Sequence, residues 1–305
     1  MNIIEHHGRE DLAMLYLGET ETGSVVEFVE SLQPPIPREE KWVLIVSTLN
    51  GCPVRCLMCD AGGDYHGRLS EDEIFAQIDA LVTARFPDRS VPVPKFKIQF
   101  ARMGEPALND AVLNVLRTLP KKYHAPGLMP CISSVLPAKR HSFFDELVTI
   151  KNELYSGGRF QLQFSLHTTD QQLRHELINY PLMDFHQAAE IGESFFSPGD
   201  RKIALNFAMA EGFPIDADVL LEFFDTDVFL VKLTPLNPTQ NSQKNNLQTR
   251  INPHSGDGSG EIVVELKRVG YEVILSLGQP EEDRIGSNCG QYLNRYLRRR
   301  EAIGA

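Results

Sequence analysis

The chain has 305 residues, 42% of them hydrophobic and 23% charged, which excludes disordered, collagen-like and coiled-coil architectures. Thirty lysines and arginines against 41 aspartates and glutamates leave a net charge of −11, which argues against a tight non-specific grip on a phosphate backbone. The longest apolar runs, such as Trp42-Val43-Leu44-Ile45-Val46, fall far short of the ~20 residues that span a bilayer, and no basic start with an apolar core opens the chain, so a cytoplasmic protein with no membrane partner is expected.

Residues 1–40 read as a short N-terminal extension that ends at the Pro34-Pro35-Ile36-Pro37 break. Strand patterns then follow at 42–47, 96–101, 129–134, 160–166, 202–209 and 228–233, with a further one at 272–277. Phe160-Gln161-Leu162-Gln163-Phe164 alternates at period two, as a strand with two distinct faces should. Between the strands lie helical patterns. The clearest covers 70–85, where Ser70 and Glu73 form a capping box ahead of Ile74, Ile78, Leu81 and Val82. Weaker ones cover 110–119, 142–154, 170–178, 185–195, 217–224 and 261–269. Repeated strand–helix units predict parallel strands with right-handed crossovers, and six of them fit a (β/α)6 partial barrel. An open doubly wound sheet is the alternative from pattern alone. The expected organisation is an extension over 1–40, a barrel core over 41–238, and a C-terminal part over 239–305. That last part opens on a stretch rich in Asn, Gln, Ser and Gly that reads as a long loop. The basic residues of 295–300 read as a solvated helix face.

Five cysteines are an odd number for a disulfide framework, and three of them crowd into eight residues. Cys52, Cys56 and Cys59 stand at C-x-x-x-C-x-x-C spacing just past the first barrel strand. Close thiolates on one loop hold iron or zinc. A structural zinc site wants four ligands, and His66 is the one candidate for a fourth. On a four-iron cubane, three thiolates leave one iron open to an outside ligand, which is a reactive arrangement.

This spacing resembles the signature of the radical S-adenosylmethionine (SAM) enzymes, with Met58 where the family usually has an aromatic residue. Further segments carry the resemblance in order along the barrel. Met103-Gly104-Glu105-Pro106, with Asn109, resembles the motif that binds the SAM amine, and Cys131-Ile132-Ser133-Ser134 resembles a third-strand segment whose serine contacts SAM. Ser165-Leu166-His167 and Asn237-Pro238 resemble two more SAM-contacting segments, and Asn288-Cys289-Gly290-Gln291 resembles a motif whose cysteine carries a methyl group. The branch with these motifs is the class A radical SAM methyltransferases, which methylate adenosine at C-2 or C-8 in RNA.

The resemblance implies a radical SAM partial barrel with a 4Fe–4S cluster on Cys52, Cys56 and Cys59. It implies SAM held by Gly104, Glu105, Ser133, Ser165, Leu166, His167 and Asn237, and methyl transfer through Cys289 to an sp2 carbon of an adenine-like substrate, RNA or a small molecule. It also implies a low-potential electron donor of the flavodoxin or ferredoxin kind. Glu27, in Val25-Val26-Glu27-Phe28-Val29, resembles the family's catalytic base, although its spacing to the barrel is shifted. Two departures stand out. The family's second, resolving cysteine falls at Ile45, and the family's separate RNA-binding domain has no counterpart among the residues before the first barrel strand. The alternative is a non-methylating radical SAM enzyme that turns the 5′-deoxyadenosyl radical directly on its substrate.

Overall fold

A computed structural model describes residues 1–61, 63–286, 292–294 and 296. Cys289 and all the basic residues of 295–300 lie outside the described residues. The chain divides into two compact units, one from residues 1–53, 60–132 and 281 onward, the other from 54–59 and 133–280.

The first unit opens with β1 (Asn2–Arg9), β2 (Ala13–Glu19) and β3 (Val25–Ser31), three antiparallel strands in sequence order, where an extension was expected. Strand alternation explains them: Ala13, Leu15 and Leu17 are buried on β2, as are Val26 and Phe28 on β3. Polar residues along β1 and the two glutamates of β3 masked the strand pattern of those two. β3 pairs antiparallel with β4 (Lys41–Val46). Next come β5 (Leu49–Cys52) and β6 (Gly63–Arg68), an antiparallel pair that the sequence reading took as loop, and then α1 (Glu71–Arg85). α1 begins with the expected capping box, Ser70 and Glu73 bonding reciprocally, and Glu73 also accepts from the Thr20 and Thr22 hydroxyls. β7 (Lys95–Phe100), α2 (Ala111–Lys122) and β8 (Leu128–Ser134) follow, with β4, β7 and β8 paired in parallel. Trp42 on β4 stacks on Phe96 of β7 at 5.0 Å, and its indole donates to Glu30, which is also held by Arg38 and Arg85. That buried carboxylate is tolerated because an indole N–H and two guanidinium groups surround it.

The second unit runs α3 (His141–Leu154), β9 (Gln161–Ser165), α4 (Gln171–Ile178), α5 (Phe185–Phe195), β10 (Ile203–Met209), α6 (Ala217–Phe223), β11 (Phe229–Pro235), α7 (Gln240–Lys244), α8 (Gly260–Arg268) and β12 (Val273–Leu275). Its strands β9, β10, β11 and β12 pair in parallel in that order. α5 lies so close to the sheet that a side chain at Gly192 would meet Phe229 at 2.3 Å. Phe164 and Phe229 thus face the helix, and the residues one step along each strand, Ser165 and Asn206 among them, face away from it. α9 (Pro280–Ile285) closes the described elements. Within both units the strands that alternate with helices are parallel, so the fold is mixed α/β with a mostly parallel sheet, as a partial barrel requires. No helix among the described residues is long and apolar enough to cross a membrane.

Candidate active site

In the first unit, the strand ends after β4 and β7 are stitched together. The amides of Thr48 and Leu49 both donate to the Met103 carbonyl, at 2.8 and 3.2 Å. Gly104 follows at φ +94°, and a Cβ there would stand 2.5 Å from the Leu49 side chain, so only glycine fits this turn. Asn109 donates to the carbonyls of Thr48 and Leu69, at 2.7 and 2.8 Å, and accepts from the Ala111 amide. Its place in the Gly-Glu-Pro string is therefore architectural. Glu105, 5% exposed, accepts from the Ala107 amide at 3.0 Å and caps a single 3-10 turn. Cys52 ends β5, buried, opposite Gly63. A cavity of about 440 Å3 opens in this unit beside Asn50, Gly51, Asp60, Ala61, His66 and Met103. Glu27 sits on β3, wholly buried, with Oε1 2.9 Å from Nε of Arg102.

In the second unit, the Cys59 amide donates to the Cys56 carbonyl at 3.1 Å, forming a turn between two half-buried thiols. Met58 packs into an apolar cluster with Leu177, Ala210 and Leu236 and anchors the turn. The carbonyls of three consecutive residues are then capped from one place. Asn245 donates to Leu57 at 2.9 Å, Thr239 to Met58 at 2.7 Å, and Asn241 to Cys59 at 2.8 Å. These residues belong to α7 and its flanks, in the stretch read from sequence as loop. The signal present there was a threonine N-cap after Pro238, with Asn241 and Asn245 spaced one helical turn apart.

Of the predicted SAM contacts in this unit, Ser133 Oγ accepts from Gln163 Nε2 at 3.3 Å, and Gln163 in turn accepts from Lys232. The amides of Leu166 and His167 both donate to the Asn206 carbonyl. Leu166 is fully buried. His167 adopts φ +68° and turns its ring inward, where Nδ1 accepts from the Ala208 amide at 3.1 Å. Burial, and secondarily the Arg174 charge, pushes His167 down to about 3, so the imidazole is neutral with its proton on Nε2. Asn237 lends its carbonyl to Thr239 and Ser242 at the start of α7.

One residue that sequence reasoning missed stands among these. Asn206, in register with Ser165, is 8% exposed, and its Oδ1 has no hydrogen-bond partner among the described residues. A buried unpaired acceptor costs free energy unless a ligand supplies a donor. A ribose hydroxyl does so, which fits SAM. For the cluster, the donor set is three thiols within eight residues, none in a disulfide, the soft ligand set that iron–sulfur centres use. Among the described residues no three His, Cys, Asp or Glu side chains stand grouped for a metal ion.

No protein-family model matches the chain. Curated relatives do. It is 28% identical over 247 residues to a probable dual-specificity RNA methyltransferase RlmN of Synechococcus, covering 78% of this chain and 66% of that protein. It is 27% identical over 275 residues to the similarly named protein of Chlorobium phaeobacteroides, covering 87% and 70%. A third such protein, from Thermus thermophilus, is 24% identical, covering 84% and 68%. The chain thus spans about two thirds of the length of these relatives. In fold it resembles the crystal structure of a radical SAM methyltransferase from Sphaerobacter thermophilus, with a TM-score of 0.71, 21% identity, and 95% of this chain and 80% of that one covered. The thiol triplet, the ordered motifs and these likenesses together support a radical SAM enzyme of the methyltransferase kind, with a 4Fe–4S cluster and SAM as its cofactors.

Proposed function

We propose that this enzyme methylates an sp2 carbon of an adenine-like group in RNA, using Cys289 as the methyl carrier. The observation that carries the reading is the ordered set of motifs from Cys52 to Cys289, on a chain similar to proteins named as RNA methyltransferases. When bound, the cluster and SAM supply one-electron cleavage of a carbon–sulfur bond, and a flavodoxin- or ferredoxin-like donor in the cytoplasm supplies the electron.

The chain's own residues hold and orient. Cys52, Cys56 and Cys59 would hold the cluster, the latter two on a turn whose carbonyls are capped by Thr239, Asn241 and Asn245. Glu105 offers a carboxylate oxygen to the SAM amine beside Gly104, whose backbone allows close approach. Ser133, Ser165 and Asn237 contribute hydroxyl and amide groups, Leu166 and His167 contribute backbone, and the neutral His167 ring adds no charge. Glu27, the base that the family resemblance implies, is wholly buried with one oxygen beside Arg102 and the other accepting from the Leu293 amide, so its place is in support of the C-terminal backbone. Where the family has its resolving cysteine, Ile45 stands on β4 in register with Gln99, and Gln99 with Cys131 on β8. Cys131 therefore lies in the same row, two strands or about 10 Å away, and is the candidate to replace that thiol.

Anaerobic reconstitution with deuterium-methyl SAM, followed by peptide mass spectrometry, tests the reading. The expected result is label on Cys289, absent from Cys131, and loss of RNA methylation in Cys289→Ala. Normal turnover by Cys289→Ala would establish the direct, non-methylating chemistry instead.

A further inference from the structure

The ion pair between Glu27 and Arg102 does more than neutralise two buried charges. Glu27 is fully buried and Arg102 is 5% exposed, a placement that is costly unless the remaining donors and acceptors are used. Each partner spends its second arm on the backbone of the C-terminal part. Arg102 Nη2 donates to the Gly286 carbonyl at 2.9 Å, and Glu27 Oε2 accepts from the Leu293 amide at 3.0 Å. In the sequence these two backbone groups bracket Cys289.

The C-terminal flank has further anchors in the same unit. The Tyr292 ring stacks on His7 at 5.7 Å and 14°, its hydroxyl donates to Glu5, and Asn294 Nδ2 donates to the Asp60 carbonyl, next to Cys59 in sequence. Tyr292, Leu293 and Asn294 thus each have a separate partner, while Gly286 is tied by Arg102.

We infer that the Glu27–Arg102 pair is a clamp on the C-terminal part of the chain, holding both flanks of the stretch that carries Cys289, and that Arg102 is a positioning residue for that thiol. Fixing both ends of a short tether restricts the volume its middle can explore and raises the effective concentration of a group on it. The guanidinium is suited to the task because its planar fork reaches a carboxylate and a carbonyl at once. The inference rests on the methyl-carrier reading of Cys289 for one of its two readouts, and the other is independent of it.

The test uses the full chain, reconstituted anaerobically, with Arg102→Lys and Arg102→Met. Lysine keeps a cation against Glu27 but lacks the fork to hold Gly286 as well, so it is the variant that preserves folding. Three quantities are read: methyl incorporation into Cys289, alkylation of Cys289 by iodoacetamide, and 5′-deoxyadenosine formed under reduction. Misplacing a reacting group should lower methyl incorporation roughly tenfold or more, with deoxyadenosine and iron content within about twofold of the native protein. Altered access should change the alkylation rate by about fivefold or more. A folded Arg102→Lys that is methylated and alkylated at native rates overturns the clamp. If neither variant folds, amide exchange in the native protein decides: the Leu293 amide should exchange at least about a hundredfold slower than an open peptide, and exchange at the open-peptide rate overturns the clamp. A native protein that never carries methyl on Cys289 defeats the carrier reading alone, and the alkylation readout still judges the clamp.

Discussion

Replacing Thr239 with valine preserves the shape of the side chain and removes one oxygen, and that oxygen has two partners. Thr239 Oγ1 donates to the Met58 carbonyl at 2.7 Å and accepts from the Ser242 amide at 2.9 Å, the latter bond capping α7. Thr239 is fully buried, so water cannot stand in for the lost hydroxyl. An unsatisfied buried carbonyl costs about 1–3 kcal/mol, and a lost N-cap about 0.5–2 kcal/mol. The two overlap, because the helix start relaxes once the cap is gone, and roughly 2–3 kcal/mol is expected in total. Urea unfolding of the metal-free chain measures that loss. Met58 lies between Cys56 and Cys59, so the loosened turn should also release iron faster to a ferrous chelator in the reconstituted protein. Asn245→Ala removes an exposed bond to Leu57 and serves as the control, expected within about 0.5 kcal/mol of the native protein. A Thr239→Val protein as stable as this control, with unchanged iron release, would refute the argument that α7 supports the thiol turn.

Gly104→Ala places a Cβ 2.5 Å from Leu49 and forces a left-handed backbone on alanine, so it should destabilise by more than about 2 kcal/mol in urea unfolding; a loss below about 0.5 kcal/mol would contradict the turn geometry. His167 is held down to about 3, against an ordinary value near 6.5 in the unfolded chain, so unfolding takes up a proton between those values and stability falls as pH drops from about 6.5 towards 3. His167→Asn, which tolerates the same φ of +68°, should flatten that part of the stability–pH curve, and an unchanged curve would show that another group is responsible. Asn206→Leu removes the unpaired buried acceptor and should weaken equilibrium SAM binding by about 1–3 kcal/mol while binding of a SAM analogue lacking the ribose hydroxyls is unaffected; equal loss for both ligands would place Asn206 elsewhere than at the ribose.

The parallel α/β core was legible because its signals are local. Trp42, Leu44 and Val46 alternate on β4, the capping box at Ser70 and Glu73 starts α1, and Phe164 alternates with Ser165 on β9. The N-terminal sheet was not legible as such, because β1 is polar at most positions and Glu27 and Glu30 interrupt the apolar pattern of β3, which only its family resemblance suggested as a strand. Their carboxylates are buried only because arginines from other segments meet them, Arg102 on one face and Arg38 and Arg85 on the other. The β5–β6 pair escaped notice for a related reason, since the glycines and cysteines around it signal a loop, and its strand form depends on pairing across the thiol segment.

The sequence by itself determined the chemistry. Thiol spacing, glycine at a turn and a carboxylate after it are properties of neighbouring residues, which local sequence displays directly. Tertiary structure alone decided which polar groups serve the architecture and which remain for a ligand. Asn109 and the ring of His167 are consumed by backbone partners 40 or more residues away, whereas the Asn206 amide, unremarkable in the sequence, is left buried with an unpaired oxygen. Whether a buried donor or acceptor is satisfied depends on what packs against it from distant parts of the chain, and local sequence does not encode that.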